Sequence, residues 1–206
     1  MKKLSSFVSG FVALALMVGF VPSRARAELG PNLVQNGSLE TASTASSSLP
    51  LGFAKGGSGA NTRVFTYPTP GRTGNGVKVE ITAYTSGDAK WYFPHVPALP
   101  NTVYTYSDRY SATAKSYLTV QFKMADGTYK YKDLEGVLSV TGTSAGSADT
   151  WQKTERVFTT PANVVSMTVF HLIKGVGKVT VDDFSLVRKT APLRTVEPVL
   201  GMPKSL

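Results

Sequence analysis

The sequence predicts an all-β fold, an antiparallel β-sandwich of the jelly-roll kind. Short segments in which apolar and polar residues alternate recur along the chain, and turns rich in Gly, Pro and Asn separate them. No window of about 11 residues or more shows the apolar spacing of an amphipathic helix. The length of 206 residues suits one domain with terminal segments and excludes a large multidomain enzyme.

Alternation places the strands along the chain. Its clearest case is the segment 117–124, where Leu118 and Val120 face inward while Gln121 and Lys123 face outward. The dipeptide Asp126-Gly127 then predicts a hairpin turn. Residues 41–49 and 136–149 are small and polar and are predicted as loops. Eight segments are predicted as strands: 62–67, 76–82, 103–110, 117–124, 129–131, 151–159, 164–173 and 178–187.

The two ends read as appendages of a central domain. Residues 1–27 combine a basic start, an apolar stretch and the small-x-small site Ala25-Arg26-Ala27, which predicts a secretory signal peptide cleaved after Ala27. The apolar stretch is shorter than the about 20 residues of a membrane span, so a retained anchor is the alternative. The folded domain is predicted at 28–187. The proline-containing segment 188–206 is predicted as a tail or linker towards another domain.

Composition excludes several functions. The chain has no cysteine, so disulfides and thiol nucleophiles are absent, and its two histidines are too few for a typical zinc site. Residues 1–27 carry four bases and no acid, and residues 188–206 carry four bases and one acid. The central domain therefore holds only +2 of the net charge of +9, and nucleic-acid binding is not expected.

Two terminal motifs carry a family resemblance. The segment 32–40 reads Asn-Leu-Val-Gln-Asn-Gly-Ser-Leu-Glu, and the segment 179–186 reads Val-Thr-Val-Asp-Asp-Phe-Ser-Leu. With the intervening Tyr104, Trp151 and Pro161-Ala162, they resemble carbohydrate-binding modules of the CBM-CenC (family 4/9-like) type, in the galactose-binding-like superfamily. The pattern departs from that family in two places, Leu39 for the usual Phe and Asn101 for the usual Gly.

The resemblance implies a secreted, monomeric, non-catalytic module that binds a polysaccharide or cell-wall glycan. Modules of this kind commonly precede a polysaccharide hydrolase or deacetylase, so the chain would be the N-terminal part of such an enzyme. One alternative is a structural or adhesion domain at the cell surface without a sugar site. Another is a stand-alone glycoside hydrolase that uses two of the acids Glu80, Asp88 and Asp108.

The terminal motifs also predict a metal site. If the first and last strands lie side by side, Glu40 and Asp182 approach each other, and a cation between them is expected. All-oxygen ligation suits Ca²⁺, and the resemblance implies a structural calcium site on Glu40 and Asp182, with Asp183 as the alternative to Asp182. Otherwise Glu40 is an exposed turn acid, and Asp182-Asp183 pairs with a lysine.

Aromatic and polar residues in the middle of the chain are candidates for a sugar site, because sugars stack on aromatic rings and hydrogen-bond to polar groups. Either Trp91 or Tyr92 is expected as the stacking platform, since they face opposite sides of one strand. Asp108 and His171 fall among apolar residues and are expected to hydrogen-bond to each other, either in the core or at the rim of a cleft. His95 is assigned to a turn without a chemical role. The full candidate set is Lys90, Trp91, Tyr92, Asp108, Arg109, Gln121, Lys123 and His171.

Overall fold

The structure is a computed structural model that describes residues 28–141 and 151–190. This part of the chain contains strands and turns and no helix, as the sequence predicts. Its strands are β1 Glu28–Asn32, β2 Ala42–Ser43, β3 Ser46–Pro50, β4 Ala54–Ser58, β5 Asn61–Pro70, β6 Asn75–Tyr84, β7 Asp88–Tyr92, β8 Val96–Pro97, β9 Val103–Ala112, β10 Ser116–Met124, β11 Tyr129–Leu138, β12 Gln152–Thr159, β13 Val164–Ile173 and β14 Gly177–Thr190.

Two antiparallel sheets form a sandwich. The first sheet has the order β12-β9-β14-β6-β5, with β1 paired to the last part of β14. The second sheet has the order β11-β10-β13-β7-β4. The short strand β8 pairs with Ser166 and Met167 of β13, on the same side as β7. The strands β2 and β3 form a separate two-stranded ribbon. The β-sandwich predicted from alternation is confirmed.

The core lies between the sheets and follows the alternation of the strands. Val77, Val79 and Ile81 of β6 are buried in the same core cluster as Leu118 and Val120 of β10. The Asp126-Gly127 turn joins β10 to β11 as predicted, with Gly127 at a φ of 83°. Strands such as β6 and β10 therefore present one apolar face to the interior, and the other face is the outer face of the sheet.

The two terminal motifs lie against each other. The Gly37 carbonyl accepts a hydrogen bond from the Phe184 amide at 2.8 Å, and the Leu33 amide donates to Leu186 O at 2.8 Å. The Asn32 side chain donates to Phe184 O at 3.0 Å. A Cβ on Gly37 would lie 2.2 Å from Phe184 O, so only glycine permits this approach. The expected contact between the first and last strands is present.

Three sequence boundaries need correction. Residues 41–49, predicted as a loop, include most of the β2–β3 ribbon. Of the predicted loop 136–149, residues 136–138 belong to β11, and residues 142–149 lie outside the described residues. Strand β14, predicted to end at residue 187, continues to Thr190, where Arg188 pairs with β9 and Lys189 and Thr190 pair with β1. The local composition of these segments is polar, and long-range pairing decides their conformation.

Among the described residues, no helix is long and apolar enough to cross a membrane. The predicted signal segment 1–27 and the tail beyond Thr190 lie outside the described residues.

Candidate functional site

The outer face of the second sheet carries a line of hydrogen-bonded side chains that crosses three strands. His95, in the segment between β7 and β8, lies 3.1 Å through Nδ1 from Ser166 Oγ of β13. Its Nε2 lies 2.8 Å from Gln121 Oε1 of β10. The Gln121 amide then donates to the Tyr131 hydroxyl of β11 at 2.6 Å. We refer to Ser166, His95, Gln121 and Tyr131 as the polar row.

The hydrogen bonds of the polar row indicate which of its atoms donate and which accept. Because Gln121 donates through Nε2, its Oε1 is an acceptor, and His95 Nε2 must carry a proton. In the neutral imidazole, Nδ1 then accepts from the Ser166 hydroxyl. The row is thus an ordered chain of donors and acceptors, held in place by strand pairing of Gln121 with both Thr168 and Tyr131.

Exposed tyrosines flank the polar row. Tyr131 is 63% exposed and Tyr129 is 50% exposed, and both side chains lie on the outer face because their strand partners are Gln121 and Lys123. The His95 and Tyr129 rings meet edge to face, with centroids 5.7 Å apart. Ring surfaces beside amide, imidazole and hydroxyl groups suit a ligand that has both C–H faces and hydroxyls.

The other half of this face contains two predicted residues. Tyr92 is partly exposed and packs edge to face on Phe170 at 5.5 Å. Lys90 Nζ lies 2.6 Å from Asp88 Oδ1 and 4.6 Å from the centroid of the Phe170 ring. Of the two expected stacking platforms, Tyr92 is therefore the one on the surface.

Trp91 is not a stacking platform. Its side chain is 2% exposed, its indole N–H donates to Lys78 O at 2.9 Å, and its ring contacts Phe65 at 5.5 Å. The alternation of β7 turns Trp91 into the core and Tyr92 outward. The prediction that only one of the two is available to a ligand is consistent with this placement.

Asp108 and His171 form the expected hydrogen bond, and it lies in the core. Asp108 Oδ2 is 2.8 Å from His171 Nδ1 and accepts from the Tyr106 hydroxyl at 2.6 Å. His171 Nε2 is 2.9 Å from Ser116 Oγ. The order of Ser116, His171 and Asp108 matches a nucleophile, base and orienting acid. However, Asp108 and His171 are 1% exposed and Ser116 is 0% exposed, so no ligand reaches them.

The cleft-rim arrangement expected for these residues is wrong. Asp108 and His171 are interior, and Arg109 points to the outer face of the first sheet because it alternates with the buried Asp108. Gln121 and Lys123 lie on the outer face of the second sheet, together with Lys90 and Tyr92. The structure thus brings together Lys90, Tyr92, Gln121 and Lys123 and separates them from Arg109, Asp108, His171 and Trp91.

The sequence reasoning missed His95, Tyr129, Tyr131 and Ser166. Tyr129 and Tyr131 could have been found, because a hairpin at Asp126-Gly127 pairs them with residues already predicted to face outward. Nothing local signals His95, whose partners Ser166 and Gln121 lie 71 and 26 residues away in the chain.

The predicted metal ligands Glu40 and Asp182 both bind the loop 71–75. Glu40 Oε1 accepts from the Asn75 amide at 3.0 Å. Asp182 Oδ2 accepts from the amides of Arg72 and Thr73 at 2.9 and 3.2 Å. A Cβ on Gly74, which has a φ of 59°, would lie 2.4 Å from Glu40 Oε1, so the loop closely covers the carboxylate.

The Asp182 carboxyl is buried without an ion pair in the described part of the chain. It is 0% exposed, and this burial raises its pKa to about 6 despite the amides of Asp183, Thr73 and Arg72 that donate to it. Asp183 lies 3.4 Å from the Arg72 guanidinium, so the alternative ligand is paired with an arginine instead of the expected lysine. No group of three or more His, Cys, Asp or Glu side chains arranged for a metal occurs among the described residues.

Comparisons with known proteins identify the fold only. Neither protein-family models nor curated proteins match the sequence. Among solved structures, the CBM22-1 xylan-binding domain from Paenibacillus barcinonensis Xyn10C is 14% identical, with a TM-score of 0.54 over 82% of this chain and 99% of that domain. The C-terminal family 22 carbohydrate-binding module of Clostridium thermocellum Xyn10B is 11% identical, with a TM-score of 0.51 over 80% of this chain and 99% of that module.

A phage protein shares the same sandwich. The enzymatically active domain of bacteriophage CBA120 tailspike protein 4 is 12% identical, with a TM-score of 0.56 over 76% of this chain, but the match spans only 21% of that domain. At such identities the likeness shows the β-sandwich fold. It does not show the CBM-CenC type or a function.

Proposed function

We propose that this chain is a non-catalytic polysaccharide-binding domain that holds its ligand on the outer face of the second sheet. The observation that carries the proposal is the polar row beside two exposed tyrosines. The Tyr131 and Tyr129 rings supply apolar surface for the C–H face of a sugar, and Gln121 and His95 supply donors and acceptors for its hydroxyls. Strand pairing holds Gln121, Tyr129 and Tyr131, and hydrogen bonds hold His95, before a ligand arrives, which reduces the entropy cost of binding.

The comparisons support this function by analogy. Two structures with the same fold are a xylan-binding domain and a family 22 carbohydrate-binding module, each spanned almost completely by this chain. Because fold alone does not establish function, the argument depends on the residues of the face itself. The CBM-CenC type inferred from the terminal motifs remains part of the proposal.

The placement of the acids argues against a stand-alone glycoside hydrolase. Such an enzyme needs two carboxyl groups about 5 to 9 Å apart across one bond. Asp88 lies on the outer face of the second sheet, paired with Lys90, and Asp108 is in the core. Glu80 alternates with the buried Val79 and Ile81, so it lies on the outer face of the first sheet, on the opposite side of the sandwich from Asp88. These three acids therefore cannot flank a common bond.

We also propose that Ca²⁺ binds beside the loop 71–75. The donor type fits a hard cation, because Glu40 and Asp182 supply carboxylate oxygens beside the same loop. Asp182 Oδ1 accepts one amide hydrogen and retains a lone pair. A cation there would neutralise the buried charge of Asp182 and link the N-terminal motif to the C-terminal one. Its role would be structural, because these residues belong to the terminal motifs and not to the sheet face.

Export and a partner domain complete the proposal. The segment 1–27 would direct secretion, and a segment after Thr190 would connect the sandwich to a hydrolase or deacetylase. Such a binding domain would raise the local concentration of its partner on an insoluble polysaccharide. A structural or adhesion role without a sugar site is the rival function, and the same binding experiment separates the two.

The test is binding of the purified chain to a panel of neutral and acidic polysaccharides, by affinity electrophoresis and isothermal titration calorimetry. Tyr131→Ala and Gln121→Ala should each weaken binding at least about tenfold, since each removes a stacking or hydrogen-bonding group. Tyr84→Ala is the matched control, because Tyr84 is also a partly exposed tyrosine (38%) but belongs to β6 of the first sheet.

Binding that is lost in Tyr131→Ala and kept in Tyr84→Ala supports the proposal. Failure of the wild-type chain to bind any polysaccharide favours the structural domain. Release of reducing sugar that depends on Asp88 or Glu80 would overturn the non-catalytic assignment.

A further inference from the structure

The open edge of the sandwich between β11 and β12 carries cations on its inner side. In β11, Lys130 pairs with the buried Phe122 and Lys132 with the buried Val120, so both lysines stand on the inner face of the second sheet. In β12, Arg156 pairs with the buried Tyr106, so it stands on the inner face of the first sheet. These three side chains line the mouth of the space between the sheets.

Two adjoining cavities occupy this mouth. One, of about 330 Å³, is lined by Lys132, Leu134, Arg156 and their neighbours Asp133 and Val157. The other, of about 410 Å³, is lined by Phe122, Lys130, Tyr131, Lys132 and residues 159–161. Lys132 lines both cavities, and we call the two together the edge cleft.

The lysines of the edge cleft are available to a ligand. Lys130 and Lys132 are exposed, and within the described residues neither side chain forms a hydrogen bond or a salt bridge. Asp126 is the charged neighbour of Lys130, and it is occupied by hydrogen bonds from Thr128 that lower its pKa. The carboxylate of Asp133 turns to the outer face, where it accepts from Thr119 at 2.6 Å.

Tyr131 joins the edge cleft to the polar row. Its hydroxyl accepts from Gln121 on the sheet face, and its residue also lines the larger cavity. A chain-like ligand lying on the row would therefore continue over the edge of β11 into the cleft. Two lysines at alternate positions stand about 7 Å apart along the strand, which suits charges repeated along a polymer.

We propose that the edge cleft is an anion subsite and that the polysaccharide bound by this domain is acidic. Its sugar rings lie on the sheet face, and its carboxylate or sulfate groups enter the cleft beside Lys130, Lys132 and Arg156. This inference rests on the proposed function, because it assumes that the ligand is a polysaccharide. It assigns the class of polysaccharide and a second group of binding residues.

Inward-pointing charges on edge strands also have a purely protective role, since they prevent edge-to-edge pairing of sheets. That role and the anion subsite predict different results. The protective role requires only that some charge is present at the edge. It predicts that removal of the lysine charges has no effect on polysaccharide binding. The subsite requires that removal of the lysine charges weakens binding of acidic ligands and leaves binding of neutral ligands unchanged.

The experiment measures Kd by calorimetry for three probes: polygalacturonate for carboxylates, dextran sulfate for sulfates, and a neutral galactan. The variant Lys130→Gln/Lys132→Gln removes two charges from the cleft. Lys78→Gln/Lys115→Gln removes the same net charge elsewhere, because Lys78 lies on the outer face of the first sheet and Lys115 between β9 and β10. Thermal unfolding of each variant verifies that it is folded.

We expect the cleft variant to bind polygalacturonate or dextran sulfate about tenfold more weakly than wild type at low ionic strength, with no change for the control variant. The difference should disappear at about 1 M salt, where the screening length is about 3 Å. The two acidic probes distinguish a carboxylate from a sulfate ligand. If the cleft variant and the control variant bind the acidic probes equally well, the anion subsite is overturned. If Tyr131→Ala still abolishes binding in that case, the proposed function stands.

Two further outcomes would also overturn the inference. If duplex DNA binds the cleft as tightly as either acidic polysaccharide, the site is a general polyanion surface. If wild type binds neither neutral nor acidic polysaccharide, the proposed function fails together with the subsite.

Discussion

The buried cluster around Asp108 provides the most stringent test of how this core is held together. Asp108 Oδ2 accepts from the Tyr106 hydroxyl at 2.6 Å and from His171 Nδ1 at 2.8 Å. Because a carboxylate only accepts, His171 donates through Nδ1, and in the neutral imidazole Nε2 accepts from the Ser116 hydroxyl. The cluster therefore links strands β9, β10 and β13 across both sheets.

Asp108→Ala leaves two buried donors without an acceptor. Each unsatisfied donor costs about 1–3 kcal/mol, and removal of one partner from a buried ion or hydrogen-bond pair typically costs about 3–5 kcal/mol. We therefore expect the free energy of unfolding to fall by about 3–5 kcal/mol. For a domain of this size, each kcal/mol lost from the free energy of unfolding lowers Tm by about 2–4 °C, so Tm should fall by about 6–20 °C.

Urea unfolding followed by tryptophan fluorescence measures this loss, because both tryptophans of the sequence are buried. Glu80→Ala is the control, since it removes a carboxylate from an outer face. His171→Ala and the double variant give the coupling energy between Asp108 and His171. A loss for Asp108→Ala within about 0.5 kcal/mol of that for Glu80→Ala would refute the reasoning.

Four further predictions concern other parts of the domain. A calcium chelator should lower Tm, and a melting curve that responds to neither chelator nor added calcium would eliminate the metal proposal. In calcium-free buffer, the pKa of Asp182 at about 6 lies above its ordinary value of 3.8, so the free energy of unfolding should fall as the pH rises between these values. The same slope in Asp182→Asn would contradict this cause. Gly37→Ala places a Cβ 2.2 Å from Phe184 O and should cost about 1–3 kcal/mol in urea unfolding, whereas a neutral effect would mean that the terminal contact is loose. Trp91→Phe removes the hydrogen bond to Lys78 O and should cost about 1–3 kcal/mol while leaving the Kd for polysaccharide unchanged. Weaker binding of the polysaccharide would show that Trp91 takes part in the binding site.

Much of the fold was predictable because the side chains of a strand point to the same face at every second residue. That period places Leu118 and Val120 inside and Gln121 outside without knowledge of any partner strand. The same parity explains why Asp108 was expected among core residues, where the structure places it. The ribbon at residues 42–50 was missed because its polar residues carry no alternation, and pairing between β2 and β3 stabilises it.

The candidate site was predictable only in part. Gln121 was identified because it lies on the polar side of an alternating strand, and Tyr92 was one of two alternatives, the other being Trp91. Trp91 could not be assigned to a face, since both faces of β7 carry an aromatic residue and only the packing against Phe65 decides which is buried. Arg109 was misplaced because parity states which residues share a face, but not which sheet that face belongs to.

By itself, the sequence determined the all-β class and the positions of the eight longest strands, since the alternation that marks them follows from interactions between near neighbours in the chain. The tertiary structure alone decided which strands became neighbours. It therefore decided that His95 reaches Gln121 and Ser166 across the second sheet, and that Lys130, Lys132 and Arg156 meet at one edge. Contacts between residues tens of positions apart depend on the order of strands in the sheets, and no local pattern in the chain encodes that order.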